Sequence, residues 1–389
     1  MWFFIAILFL SLLSFLDLGI FTYIGYSFNV SPLVYGIIAA TWSLIYIISN
    51  KLFGNLADKG ENKLLMLISL INIFVATFLF SRGSLAYIAI AYMFHAISVS
   101  TANLSVSSSI FELTDSESWW KYSAAQRLLV YLIRGTTLLL ISTGILSLSI
   151  FQVLMIATAI AAISAIVLPS IGVNIERKLH LINKNVSNVI EYSNMKSLAA
   201  INLENPTGLQ GVLEGFKLKE GGVSSKNILL SLFFAIAMGD FMFTIMPLLI
   251  KGDISLNTLW ISHGITGIVI GISLVLMSKI LKGSKKSATF FVLLRGLWLA
   301  LGIPLLFKPS GLILYLIIMY LSSSAIDTIF YNLYSETNSG YGANNYFIVR
   351  EMGTLFGSLI AGMIMTFGLT AIIISLALMC TIALISIDI

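Results

Sequence analysis

The chain has 389 residues, 58% of them hydrophobic and 10% charged, with a mean hydropathy of +0.99 and a net charge of +5. Soluble domains carry about 25% charged residues, so a water-soluble globular fold is excluded. One cysteine, Cys380, excludes an intrachain disulfide, and the three histidines, His95, His180 and His263, lie too far apart in sequence for a Cys/His metal cluster. Nothing points to a cofactor.

A membrane-spanning helix needs about 20 mostly apolar residues. Such stretches occur at 3–28, 32–53, 63–82, 85–110, 120–143, 147–170, 227–250, 256–281, 286–306, 311–335, 341–366 and 369–387. They do not alternate polar and apolar positions, as barrel strands would, so they predict helices. The first stretch is too long and lacks the basic start of a cleavable signal, and it reads as a retained helix. Residues 171–226 break the pattern with Asn, Glu, Lys, Gly and Pro206. Within them Ile175, Leu179, Ile182, Val186 and Val189 recur at helical spacing, which predicts an amphipathic helix on a membrane face; the alternative is a flexible tether. The organisation expected is a six-helix bundle at 1–170, a cytoplasmic linker at 171–226 and a second six-helix bundle at 227–389.

The basic residues are asymmetric. Lys51, Lys59, Lys63 and Lys121, seven residues within 171–226, and Lys279, Lys282, Lys285 and Lys286 make fifteen on one side, against Arg82, Lys251 and Lys308 on the other. Lys and Arg gather on cytoplasmic loops. Both termini and the linker are therefore expected in the cytoplasm, and the net positive charge needs no nucleic-acid partner.

The loop after the second helix reads Gly54-Asn55-Leu56-Ala57-Asp58-Lys59-Gly60-Glu61-Asn62-Lys63. It resembles the signature between helices two and three of major facilitator superfamily transporters, with Gly54, Asp58 and Lys59 in place, Gly60 one residue early, and Lys63 as one of two basic ends. Gly54 is expected to allow close helix packing, Gly60 a tight turn, and Asp58 a cap or pairing at a helix end. In the second half Lys282-Gly283 and Lys286 echo Lys59-Gly60 and Lys63, while Leu281 stands where Asp58 would fall. Weaker echoes join Phe21-Thr22 with Phe243-Thr244, and Tyr122 to Arg127 with Tyr346 to Glu351. The resemblance implies an all-α membrane protein of twelve transmembrane helices in two bundles, with inverted repeats within each half. The Gly-Pro-rich antiporter run is missing from Leu128 to Gly144, which leaves the subfamily unassigned.

Ionisable residues at bilayer depth cost about 2.5–3.5 kcal/mol each on insertion scales, so they ask for a reason. Asp17, Asp240, Asp327 and Glu351 are matched in number by Arg127, Arg134, Arg295 and Arg350. The resemblance implies that helices one, four, seven and ten line a central cavity. Asp17, Tyr23, His95, Asp240 and Asp327 are then the candidates for a substrate or proton pathway. Ser98, Ser100, Thr101, Asn103 and Ser105 beside His95 are candidate cavity groups too, or they bond to backbone carbonyls. Asp58, Arg127, Arg134, Arg350 and Glu351 are candidate ion pairs that close the cytoplasmic side, or structural pairs without gating. Arg295, on an outer helix, is expected to pack or to snorkel.

The function expected is secondary active transport of a small organic solute by alternating access, as symport or antiport. Buried carboxylates would carry protons as the coupling ion. The expected setting is a monomer in the plasma-membrane bilayer. The alternatives are a drug or metabolite efflux protein of the same fold and a non-transporting receptor or scaffold. A membrane-embedded enzyme would need a catalytic constellation at bilayer depth, which the isolated His95 and His263 do not supply. No phosphate-binding glycine loop stands in the sequence.

Overall fold

A computed structural model describes residues 1–113, 119–170, 224–280, 284–337 and 343–388. Twelve long helices fill the described residues: α1 Trp2–Ser27, α2 Pro32–Asp58, α3 Asn62–Phe80, α4 Leu85–Leu113, α5 Trp119–Ser142, α6 Ile150–Val167, α7 Ser225–Ile250, α8 Leu256–Ile280, α9 Lys285–Leu301, α10 Pro309–Thr337, α11 Ala343–Ile364 and α12 Leu369–Asp388. Ten are long and apolar enough to cross a membrane. The other two are α5, whose face carries Arg127 and Arg134, and α9, which has 17 residues. The amphipathic helix expected within 171–226 lies outside the described residues.

The helix starts follow from capping chemistry. Four helix-initial backbone N–H groups lack an intrahelical partner, and a serine oxygen placed just before the helix takes one of them. Ser31 accepts from the Val34 N–H with Pro32 beginning α2, and Ser224 and Ser284 cap α7 and α9 in the same way. Ser149 and Gln152 cap each other's backbone at the start of α6, a reciprocal capping box. Between α2 and α3 the chain reverses at Gly60, whose φ is +76°. Glu61 N–H reaches back to Leu56 O at 2.9 Å and Gly60 N–H to Ala57 O at 3.0 Å. This pair of bonds is a left-handed helix end that glycine enters without steric cost. The tight turn expected at Gly60 is present. A side chain added at Gly54 would meet nothing within 4 Å, so close packing is not what that glycine provides here. The Asp58 side chain lies outside the described residues.

Two hydrophobic cores divide the molecule. One is built on α1 with residues from α2 to α6, and the other on α7 with residues from α8 to α12; Trp260 of α8 crosses into the first. Helix α1 and helix α7 are the most fully buried of the spans, which places them at the centre. Lipid is as apolar as a leucine side chain, so burial alone does not bring spanning helices together. Small residues do, by letting backbones approach. The seams between the halves show this. At α5–α8 a Cβ on Gly135 would lie 2.7 Å from Gly264 O, and one on Gly267 would lie 3.2 Å from Gly135 Cα. At α2–α11 a Cβ on Gly36 would lie 2.7 Å from Gly362 Cα.

Hydroxyls inside the bundles are mostly consumed by the backbone. Ser11, Thr22 and Thr101 donate to carbonyls four residues earlier, at 2.7, 2.7 and 2.9 Å, which satisfies those three buried donors within their own helices. The polar row of α4 turns towards α3. Ser69 Oγ lies 2.8 Å from Ser98 Oγ, and Ser105 donates to Asn62 O at 2.7 Å. Those hydroxyls join helices rather than line a cavity. The predicted ninth span, 286–306, ends early: α9 stops at Leu301 and Pro304 sits in a short 3₁₀ turn, Ile303–Phe307, because proline has no N–H to continue a ladder.

Candidate functional site

A cavity of about 340 Å³ lies between the two halves. Its walls come from α1, α2, α4 and α5 on one side and from α7, α9, α10 and α11 on the other. Seven ionisable side chains meet there: Asp17, Arg134, Asp240, Arg295, Asp327, Arg350 and Glu351. The three aspartates singled out in the sequence, on three different helices, thus share one space.

Each aspartate is held differently. Tyr92 of α4 donates its hydroxyl to Asp17 Oδ1 at 2.8 Å. Thr354 of α11 donates to Asp240 Oδ2 at 3.0 Å. Asp327 takes Arg350 Nε at 3.1 Å, and Arg350 Nη1 also reaches Glu351 Oε1 at 2.8 Å. One guanidinium therefore serves two carboxylates inside the second half. Asp17 and Asp240, by contrast, are met by neutral hydroxyls. A proton gained or lost at Asp17 or Asp240 breaks no ion pair among the described residues.

Arg134 of α5 donates to Ser14 Oγ at 3.3 Å and lies over the Tyr131 ring, with the Tyr320 ring of the other half 5.9 Å away. It does not pair with Glu351, which is occupied by Arg350 in its own half. Arg127 is exposed on α5 and does not line the cavity. The expected set of Arg127, Arg134, Arg350 and Glu351 therefore splits: Arg134, Arg350 and Glu351 are cavity walls, and Arg127 is a surface group.

Two pathway candidates lie off the cavity. Tyr23 packs against Phe28 and Phe80, with ring centroids 6.0 and 5.8 Å away. His95 is buried one layer behind the wall. Its Nε2 sits 3.0 Å from Leu13 O, a carbonyl that can only accept, so Nε2 carries the proton. Nδ1 is then the acceptor for Trp42 Nε1–H at 3.4 Å. Both ring nitrogens are used, and their effect is to fix Trp42, itself part of the wall.

Arg295 departs most from expectation. It neither snorkels nor packs outward: only 3% of the residue is exposed, and it lines the cavity from the peripheral helix α9. The guanidinium passes over Gly239 of α7, where any Cβ would overlap it. The sequence signal was present but split between two helices: an arginine on one, and a glycine next to Asp240 on another.

The cavity is closed at the end carrying the α1–α2 and α7–α8 connections. Three hydrogen bonds cross between the halves there. Tyr26 hydroxyl donates to Ile254 O at 3.0 Å, Lys251 Nζ to Phe28 O at 3.2 Å, and Trp260 Nε1 to Thr22 Oγ1 at 2.9 Å. Phe21 stacks on Phe243 just below, with centroids 5.7 Å apart. Phe21 and Phe243, from the weak sequence echo, thus face each other across the seam, while Thr22 meets Trp260 and Thr244 donates to Ser358 Oγ.

Solved structures share this architecture. A mutant of a peptide transporter of the POT type, crystallised with alafosfalin, superposes with a TM-score of 0.68 at 13% identity, over 99% of this chain and 93% of that one. A POT family transporter in complex with 5-aminolevulinic acid gives 0.64 at 14% identity, over 98% and 94%. The xylose transporter XylE from E. coli, in its inward-open conformation, gives 0.65 at 13% identity, over 99% and 94%. At such identities the likeness is one of fold. No curated protein sequence matches this one significantly. The sequence profile of the Major Facilitator Superfamily matches residues 3–348. With its two bundles, central cavity and apolar helices, the chain is a multi-pass membrane protein and belongs to the major facilitator superfamily.

Proposed function

We propose that this protein is a secondary transporter that carries a small organic solute across the plasma membrane by alternating access, with protons as the coupling ion. The observation that carries the reading is the cavity of about 340 Å³ shared by both halves and latched at one end. Its volume is at the small end of ligand pockets, about 300–1,000 Å³, which suits a solute rather than a lipid. The excess of Lys and Arg expected on the other face supports a reading with the latched end outside and both termini inside. The state described is then inward-facing. The halves would be residues 1–170 and 227–389, joined by a cytoplasmic segment at 171–226, and the working unit a monomer.

Asp17 and Asp240 are the proton carriers in this reading. Each faces the cavity and each is held by a neutral hydroxyl rather than by an arginine. Asp327 is tied to Arg350 and serves to hold α10 to α11, and Glu351 pairs with the same arginine within α11. The neighbouring folds support a small polar cargo: their ligands include 5-aminolevulinic acid and alafosfalin.

The test is counterflow in proteoliposomes, scanning radiolabelled amino acids, short peptides, sugars and organic acids, followed by uptake under an imposed pH gradient. The expected result is counterflow of one class, accelerated uptake with the gradient, and loss of that acceleration in Asp17→Asn or Asp240→Asn with counterflow kept. Counterflow indifferent to pH in the wild type would remove the proton from the account. No counterflow of any class would favour a receptor or scaffold.

A further inference from the structure

We propose that Arg295, reaching through the gap above Gly239, forms an anion subsite in the cavity wall that takes the carboxylate of the transported solute. The inference rests on reading the cavity as a solute site, and it concerns which chemistry that site accepts.

Helix α9 is peripheral, with Leu293, Leu297 and Leu301 exposed on its outer face. An arginine on such a helix ordinarily extends to the membrane surface, where water hydrates it. Arg295 instead points inward and is buried, although burying an unpaired guanidinium is costly. Its Nε and Nη1 have no hydrogen-bond partner, and no described carboxylate forms an ion pair with it. The same cavity shows what a satisfied arginine looks like: Arg350 holds Asp327 and Glu351 together. Arg295 is built in like Arg350 but left without that engagement.

The route inward is made for this side chain. Gly239 lacks the atom that would block it, and a Cβ there would overlap Nη2 and lie 2.5 Å from Cζ. Gly239 also has no side chain of its own to satisfy the guanidinium. A planar guanidinium gives a carboxylate a parallel pair of bonds from Nε with Nη2 or from Nη1 with Nη2, and each of these pairs contains one of the idle groups of Arg295. The neighbouring groups in the wall, Asp240 with its Thr354 partner, Ser323 and Ser324, offer acceptors and hydroxyls for the remainder of a polar solute. The competing account makes Arg295 only a counter-charge for Asp240, acting across space without a ligand.

Thermal unfolding of the purified full-length protein in detergent tests this, because a ligand of the native state raises Tm. The probes are acetate, benzoate and succinate, each against its neutral amide at equal ionic strength, with inorganic phosphate as a separate arm. At least one carboxylate is expected to raise Tm in a saturable way while its amide does not. Arg295→Gln is expected to weaken that binding about tenfold or more, with Arg295→Lys intermediate. Gly239→Ala, which leaves Arg295 in the sequence but displaces its guanidinium, is expected to mimic Arg295→Gln. It also stands in if Arg295→Gln fails to fold. The proposal is overturned if no carboxylate outperforms its amide, if phosphate alone binds, if Arg295→Gln binds as wild type does, or if Asp240→Asn restores binding to Arg295→Gln. Carboxylate binding without counterflow would sink transport and leave the subsite standing. Counterflow of a neutral solute without carboxylate binding would sink the subsite alone.

Discussion

Adding one methyl group at Gly36 probes how the two halves are held at the latched end. Gly36 lies near the start of α2, and its Cβ would stand 2.7 Å from both Gly362 Cα and Ser358 O of α11. Carbon atoms attract at about 3.5–4.0 Å, so the helices must part by about 0.8 Å or more. The contact is between backbones, with no flexible side chain to give way. Overpacking of this kind costs about 1–3 kcal/mol, and each 1.4 kcal/mol is about a tenfold change in a population ratio. Gly36→Ala should therefore weaken the closed arrangement about 5- to 150-fold relative to one in which α2 and α11 separate at this end. Pulsed electron resonance between spin labels at Ser84 and Ser310, in a Cys380→Ala background, reads the separation of the two halves on that face. The expected outcome is a second, longer distance in Gly36→Ala that is weak or absent in the parent. Gly54→Ala is the control on the same helix, since a Cβ there meets nothing within 4 Å, and it should leave the distances unchanged. An unaltered distribution in Gly36→Ala, with unaltered Tm, would refute the claim that backbone contact at this seam holds the end shut.

Three further outcomes are expected. Trp260→Phe removes the donor to Thr22 and should shift the same distance distribution in the same direction, by about 1 kcal/mol, without loss of fold by circular dichroism. Asn62 is buried and donates to Ser109 Oγ and to Pro169 O, both at 2.9 Å, so Asn62→Ala should lower unfolding stability by about 1–3 kcal/mol, read as a fall in Tm in detergent. Asp327→Asn removes the carboxylate that Arg350 Nε meets, while Arg350 keeps Glu351; with Arg350 and Asp327 both partly exposed to the cavity, a loss of only about 1 kcal/mol is expected, and a fall several times larger would mean the pair bears much more of the fold.

The helices were legible because hydrocarbon length sets a minimum run of apolar residues, and the sequence shows twelve such runs separated by Gly, Pro and charged breaks. Side-chain direction was less legible. A hydropathy pattern says that Arg295 is inside a span but not which way it points, because the deciding atom is the missing Cβ of Gly239 on another helix. The hydroxyls of α4 looked like cavity lining and turned out to join α3, since Ser69 and Asn62, from a separate stretch, supply their partners. His95 looked like a pathway group and holds Trp42 and Leu13 O. One feature could have been read in advance: Gly264, Gly267 and Gly271 recur every three to four residues, a small-residue face, and this face meets Gly135 at the seam with α5. Asp17, Asp240 and Asp327 were findable because a carboxylate in the middle of an apolar helix is costly enough to be conspicuous.

The most direct measurement of alternating access needs no substrate. A cysteine placed at Ser323, in the cavity wall, in the Cys380→Ala background, is exposed to a membrane-impermeant maleimide added to right-side-out or to inside-out vesicles. The account predicts rapid labelling from the inside face, slow but measurable labelling from the outside face, and faster outside labelling when Gly36→Ala is added. Labelling from one face only, unchanged by Gly36→Ala, would contradict it.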